Sequence, residues 1–437
     1  MGVGEVASAS SLGGTVAVGE PAGQRVTVQR PSWGAGCAPC GIAADGVPSD
    51  AIATTLRFAM TSTGSRMGLP GHATPDGTDR YRRRMGARIA EGHFRVFDGL
   101  WLSSMGLGTY LGDEDARTDQ QYSEAITRAV GLGCNVVDSA INYRHQRSER
   151  AVGEALGSLV RSGRAARDEI VVSTKGGFVP FDGAYPEDLR AYLQETFIRP
   201  GIIRPADLVA GCHCMAPTYL RHQLERSRQN LGLNCVDIYY IHNPETQLQE
   251  VAREQFHHRL REAFCALEDA VTRGLIRMYG TATWNGYRQP PTACDYLSLA
   301  EIVALAREVG GPGHHFRVIQ LPLNLGMPEA LTRANQRVDG DWVPALEAAS
   351  RLGILSVASA SILQGQATHH LPASVGEALR GLATDAQRAI QFVRSAPGLA
   401  VALVGMKQIA HVEENLATAG VPPARPEDLQ RALGRHD

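Results

Sequence analysis

The chain has 437 residues, of which 43% are hydrophobic and 20% charged, which is enough apolar content to bury a large core and too apolar for a disordered chain. Lysine and arginine nearly balance aspartate and glutamate at a formal net charge of -2, so composition supplies no footprint for nucleic acid or for an anionic membrane. There is no apolar run of about 18 residues and no basic segment leading into an apolar one at the N-terminus, so neither a membrane span nor secretion is expected. Eight cysteines spread thinly from Cys37 to Cys294 fit free thiols in a reducing cytoplasm.

Residues 1–90 are rich in Gly, Ala, Ser, Thr and Pro with no sustained period, and they are expected to form a poorly structured N-terminal extension. The dense basic stretch "RYRRRMGAR" within it reads as a solvated segment. Asp98-Gly99 between two short strand-like runs predicts a β-hairpin. Thr118 and Gln121 form a capping-box pair ahead of Tyr122, Ala125, Ile126, Ala129 and Val130, which share one helical face. Strands and helices then alternate: "NVVDS", "EIVVSTK", "VDIYYIH", "IRMYGTAT", "RVIQLPLN", "ILSVAS" and "LAVALVG" are each followed by an amphipathic pattern. With "SMGLGTY" as the first strand the count is eight, which predicts an α/β fold: a (β/α)8 TIM barrel over 91–437 with an N-terminal β-hairpin. No G-x-G-x-x-G follows the first strand, so a doubly wound dinucleotide fold lacks its fingerprint.

Two cysteine clusters are candidates for metal sites. Cys37 and Cys40 in "CAPC" have no second pair at zinc spacing. Cys212, His213 and Cys214 in "GCHCMAP" would alternate faces in a strand and point apart, so the segment is read as a packed strand. No metal is expected.

Barrel chemistry is placed at the C-terminal ends of the strands, and there the sequence sets an unusual series. Asp138 ends the second strand, Lys175 the third and His242 the fourth, with Tyr143 just past the first of these. Proton-capable residues at equivalent places in successive repeats form a candidate catalytic rim.

At these residues the chain resembles the aldo-keto reductase family. The motifs are "VVDSAINYRHQRSERAVGEAL", "STKGG", "VDIYYIHNP", "RGLIRMYGTATW", "VIQLPLN", "VASASILQG" and "VGMKQIAHVEENL", in family order over roughly 95 to 420. The resemblance implies a barrel that binds a nicotinamide cofactor without a Rossmann domain and reduces aldehydes or ketones. It places the catalytic tetrad on Asp138, Tyr143, Lys175 and His242. Tyr143 would protonate the carbonyl oxygen, Lys175 would lower the tyrosine pKa, Asp138 would hold the lysine and His242 would orient the carbonyl. Cofactor contacts fall on Gln320, Gly365, Glu414 and Asn415. Lys407 and His411 beside the start of the last barrel helix suit a phosphate, which favours NADPH with NADH not excluded.

Some positions depart from the family pattern. Leu323 stands where an aromatic usually stacks on the nicotinamide, and Ala282-Thr283 replace a Ser-Asn or Ser-Arg pair. The span from Lys175 to His242 is long, and Phe178, Phe181, Trp284 and Tyr287 are the candidate lining of the substrate mouth. The expectation is an NADPH-dependent carbonyl reductase acting on a small molecule. The other reading is a nucleotide-binding regulatory protein without useful turnover.

Overall fold

The structure, a computed structural model, describes residues 68–434, so Cys37, Cys40 and most of the expected extension lie outside the described residues. The first element is helix α1 (Pro75–Met85), capped by Thr74, whose side chain accepts from the Gly77 amide. It falls inside the stretch expected to be unstructured and contains most of the basic cluster. Its arginines find carboxylates that are distant in sequence: Arg80 and Arg84 both pair with the buried Glu169, while Tyr81 is fully buried and donates to the Val130 carbonyl. The ordered fold therefore begins well before residue 90.

Strands β1 (Phe94–Phe97) and β2 (Leu100–Ser103) form the expected hairpin, with Asp98 and Gly99 at φ +50° and +78°. Positive φ at both turn positions is the two-residue geometry that Asp-Gly favours. The barrel strands are β3 (Met105–Gly108), β4 (Val136–Asp138), β5 (Val171–Gly176), β6 (Val236–His242), β7 (Ile276–Ala282) and β8 (Phe316–Pro322). After a small hairpin of β9 (Gln336–Val338) and β10 (Asp341–Val343), β11 (Leu355–Ser359) and β12 (Leu399–Gly405) complete it. The eight parallel strands close in the order β3-β4-β5-β6-β7-β8-β11-β12.

The helices that follow these strands are α2 (Ala116–Gly131), α3 (Arg147–Arg161), α5 (Pro217–Leu231), α6 (Arg253–Thr272), α7 (Leu299–Gly310), α9 (Ala345–Arg351), α11 (Asp385–Arg394) and α12 (Ile409–Leu416). Short helices α4 (Leu189–Leu193), α8 (Glu329–Thr332), α10 (Ala373–Ala378) and α13 (Pro426–Ala432) decorate the connections and the C-terminus. Helix α2 starts before the expected capping pair: Asp115 is its N-cap, and Thr118 supplies the amide that Asp115 accepts at 2.7 Å. An aspartate in extended backbone satisfies a first-turn amide that Thr118 cannot reach from inside the helix.

Alternation along the strands sorts the core into two parts. Val136, Val171, Ile238, Met278, Val318 and Val401 point into the barrel, where Leu100 and Leu102 of the hairpin join them. Val137, Val172, Tyr239 and Ile319 point outward into the layer between strands and helices. The same parity carries Asp138, Ser173, Lys175, Tyr240 and Gln320 inward, one or two layers nearer the C-terminal rim. The barrel is thus filled with apolar side chains as far as the level at which the polar ones begin.

Candidate active site

The end of β4 meets the end of β5 in a single ion pair. Lys175 Nζ lies 2.5 Å from Asp138 Oδ2 and 2.8 Å from the Ser139 carbonyl, and the lysine is completely buried. The second carboxylate oxygen of Asp138 accepts from Ser173 Oγ at 2.7 Å and from Gln320 Nε2 at 2.9 Å. A strand can end on an aspartate here because three side-chain donors converge on it. Burial pulls the Lys175 pKa below its ordinary value, and the adjacent Asp138 opposes that shift.

Tyr143 follows the β4 end in a turn, with the lysine ammonium 4.9 Å from its ring centroid. Its ring meets Tyr110 and His242 edge to face, at 4.9 and 5.8 Å between centroids. The four rim residues are therefore brought together. The phenol does not, however, have the lowered pKa expected of a tyrosine beside an ammonium. Burial holds it well above its ordinary value, with the Asp138 charge adding to the effect. The lysine charge is already matched by Asp138, so little net positive field is left for the phenol. His242 is pushed the other way, far below the usual histidine range, first by burial and then by Lys175 and His213, so its imidazole is neutral.

The turn after Tyr143 is strained. Arg144, His145 and Gln146 all have positive φ, at 47°, 53° and 69°, a run that costs non-glycine residues about 1 kcal/mol or more each. Arg144 is anchored by the Asp113 carbonyl and Asp119, the His145 carbonyl accepts from the Gly183 amide, and Gln146 donates to the Phe181 carbonyl. The β3–α2 loop and the β5–α5 insertion hold this turn from opposite sides.

The insertion carries its own small core of Phe197, Ile203, Cys214 and Tyr219. The segment around His213 is not the packed strand expected: it makes isolated bridges to Phe178 and Val209, because an insertion outside the closed barrel has no ladder to join. His213 and Cys214 do face apart, the histidine toward His242 and the cysteine into the insertion core. Among the expected mouth residues, Phe178 packs on His242 at 5.1 Å and Phe181 on His145 and Tyr185. Tyr287 belongs elsewhere: it is fully buried and hydrogen-bonds Thr281, which points out of the barrel. Glu245, three residues after His242, accepts from the Trp284, Asn285 and Gly286 amides and so pins the β7–α7 loop against the β6 end.

The residues expected at the cofactor occupy adjacent sectors of the same rim. Gln320 is bound to Asp138, which ties its sector directly to the lysine. Gly365 lies in the loop after β11 at φ +91°, with nothing within 4 Å of a notional Cβ. Lys407 follows β12 and reaches the β3–α2 loop, where a Cβ on Gly112 would lie 3.2 Å from its Nζ. Helix α12 has no side-chain cap at its start, and His411 is exposed in its first turn. Glu414 is half-buried, whereas Asn415 is 4% exposed with an unpartnered Oδ1. Thr283 Oγ1 is likewise buried without a partner, and Leu323 is fully buried. Two orphaned polar atoms at these positions fit a polar ligand.

Ser173, Tyr110 and His213 were not singled out as site residues from sequence. Ser173 was within reach of it, since it precedes Lys175 by two residues and so shares its face. Among the described residues no helix is long and apolar enough to cross a membrane, and no group of three or more His, Cys, Asp or Glu could hold a metal ion.

Comparison with known proteins agrees with this architecture. Residues 104–295 match the model of the aldo/keto reductase family. The chain is 27% identical over 200 residues to aldo-keto reductase family 1 member C23-like protein of Equus caballus, covering 44% of this chain and 50% of that protein. It is 28% identical over 150 residues to prostaglandin F synthase 1 of Bos taurus, covering 34% of each. The chain thus spans half or less of the length of these curated relatives. An aldo-keto reductase of Klebsiella pneumoniae solved in complex with NADPH shares the fold at a TM-score of 0.53 and 20% identity, over 80% of this chain and 97% of that one. The glycerol dehydrogenase of Gluconobacter oxydans does so at 0.55 and 18%, over 79% and 95%. The chain is thus similar to the aldo/keto reductase family over residues 104–295 and shares its barrel with solved aldo-keto reductases.

Proposed function

We propose that the protein is an NADPH-dependent reductase of aldehydes or ketones in which Tyr143 is the general acid. The observation that carries this reading is the buried Asp138–Lys175 pair beneath the Tyr143 ring, with His242 against the same ring. When bound, the nicotinamide supplies a hydride to the carbonyl carbon, and the protein must then manage the negative charge left on oxygen.

Tyr143 is protonated at neutral pH because burial raises its pKa, so it holds the proton that the oxygen needs. Giving up that proton creates a phenolate beside the Lys175 ammonium, which attracts it, while the Asp138 charge opposes that attraction. Lys175 thus offsets part of the cost that burial and Asp138 place on the phenolate, an attraction stronger after the proton transfer than before it. Asp138 keeps Lys175 charged despite complete burial. His242, being neutral, offers an N–H to the carbonyl oxygen without adding charge that would compete with Lys175. In this reading Gln320 and Thr283 would meet the nicotinamide carboxamide, and Lys407, His411 and the uncapped start of α12 would meet the phosphate that distinguishes NADPH. The NADPH-bound Klebsiella pneumoniae relative supports that cofactor choice.

The test is Tyr143→Phe, which removes one hydroxyl. With saturating NADPH and a panel of aldehydes, ketones and quinones, turnover should fall by roughly 10² or more while NADPH affinity stays near wild type. Turnover within about threefold of wild type would exclude Tyr143 as the acid, given the factor expected of such a group. A wild-type protein that binds NADPH and reduces none of the panel would favour a nucleotide-binding role without turnover.

A further inference from the structure

We propose that His213 is a positioning residue for His242, linking the β5–α5 insertion to the end of β6 and setting where the His242 imidazole stands. This rests on the reading of His242 as the group that orients the carbonyl.

His213 is completely buried, with Nε2 2.7 Å from the His242 carbonyl oxygen and Nδ1 2.9 Å from Gln247 Nε2. Gln247 Oε1 in turn accepts from an Arg259 guanidinium nitrogen at 2.5 Å. A guanidinium can only donate, which fixes the Gln247 amide with its oxygen toward Arg259 and its NH2 toward His213. An amide NH2 can only donate, so His213 Nδ1 is the acceptor and the ring proton sits on Nε2, aimed at the His242 carbonyl. The bonds thus run in one direction, from Arg259 through Gln247 and His213 to the backbone of His242.

His242 needs this support. Its own Nδ1 is buried without a hydrogen-bond partner, so its ring is held by packing rather than by a bond. The next residue, Asn243, turns left-handed at φ +43° and takes the chain out of the sheet, which leaves the strand-end carbonyl to be met by a side-chain donor. His213 also acts on the ring face. Phe178 stands edge-on between the two histidines, 5.1 Å from each. Gly177 makes the approach possible: at φ +142°, a Cβ there would lie 2.9 Å from both His213 Nε2 and the His242 oxygen. The insertion is therefore fastened to the orienting histidine through both its carbonyl and its ring.

The experiment compares full-length His213→Leu, His213→Gln and Gln247→Leu with wild type. His213→Leu should lower kcat by roughly 10-fold to 100-fold, as a small misplacement of an orienting group does, with NADPH Kd unchanged within about threefold. His213→Gln, which keeps a donor for the carbonyl and an acceptor for Gln247, should return kcat to within about threefold of wild type, well short of the loss expected from misplacement. Gln247→Leu does not touch His242 and should lower kcat in the same sense. Equal damage from the Leu and Gln variants, or wild-type kcat in His213→Leu, would overturn the proposal. If His213→Leu does not fold, or if no carbonyl is turned over even by wild type, imidazole 15N resonances in wild type and Gln247→Leu decide it alone. Proton occupancy on His213 Nε2 together with a displaced His242 signal in the variant supports the positioning role. A His242 signal that does not move defeats it, whatever the fate of the catalytic reading.

Discussion

Replacing Asp138 by asparagine changes a single atom's chemistry, and its consequences can be followed through each bond. One carboxylate oxygen takes the Lys175 ammonium and the other takes Ser173 and Gln320. An asparagine has one acceptor oxygen, so its NH2 must face either the ammonium or the two neutral donors, and at least one contact becomes donor against donor. The larger cost is the fully buried Lys175, left without a counter-charge, for which about 3–5 kcal/mol is the ordinary loss when one partner of a buried pair is removed. Set against a total stability of about 5–15 kcal/mol, that should lower Tm by roughly 3 to 6 °C in a chain of this size. The penalty should also shrink as pH rises. In the variant the folded-state pKa of Lys175 falls well below the unfolded value, so between the two the unfolded chain binds more protons and stability increases with pH. Urea unfolding of wild type, Asp138→Asn, Lys175→Met and the double variant at pH 7 and pH 9 measures both effects. The double variant should be more stable than Asp138→Asn alone, because it removes the orphaned charge. If Asp138→Asn lies within about 1 kcal/mol of wild type at pH 7, well short of that loss, Lys175 is not a buried charge dependent on Asp138 and the electrostatic account of the site falls.

Three further outcomes are expected. Lys407→Glu should weaken NADPH binding much more than NADH binding in fluorescence titrations, and equal weakening would remove Lys407 from the phosphate site. A chain starting at Met67 should keep its Tm and turnover, whereas one starting at Gly92 loses Arg80 and Arg84 from the buried Glu169 and should lose about 3 kcal/mol or more; insolubility of the longer chain would refute the first half and equal Tm of the two the second. Burial takes His93 and His213 from 6.5 down to about 4, so each favours the folded state fully above its unfolded pKa, and that stability is lost as pH falls from about 6.5 toward 4, about 3 kcal/mol per histidine. Unfolding free energies at pH 7 and 4.5 should show a shallower fall in His93→Gln than in wild type, and identical falls would show that His93 is charged or exposed in the folded state.

The barrel was legible in the sequence because its strands are buried on both faces and read as short apolar runs between amphipathic helices, and because Asp138, Lys175 and His242 recur at the same point of successive units. Helix α1 was hidden by its composition. Its buried face is only Gly77, Thr78, Tyr81 and Met85, and the carboxylate that pairs Arg80 and Arg84 is more than eighty residues away. The β9–β10 hairpin was legible but missed: Asp339-Gly340 has the same positive-φ pair as Asp98-Gly99, in "QRVDGDWV". The pKa of Tyr143 could not be read from residue types, because whether an ammonium lowers it depends on what else the ammonium is paired with. The role of Gln320 on Asp138 depends likewise on barrel closure, which brings β8 across from β4.

The left-handed run at 144–146 has a consequence for anyone wishing to alter what the barrel accepts. Its strain is balanced by bonds from Asp113 and Asp119 on one side and from Phe181 and Gly183 on the other, and Tyr143 is the residue immediately before it. A loop graft that exchanges the β5–α5 insertion alone would release one side of that balance, and the turn would relax toward ordinary backbone, carrying the tyrosine hydroxyl with it. The 109–119 loop, the 143–147 turn and the 177–186 stretch therefore form one exchangeable module. Transplanted together they should retain the geometry around the phenol, and transplanted singly they should trade turnover for whatever selectivity they bring.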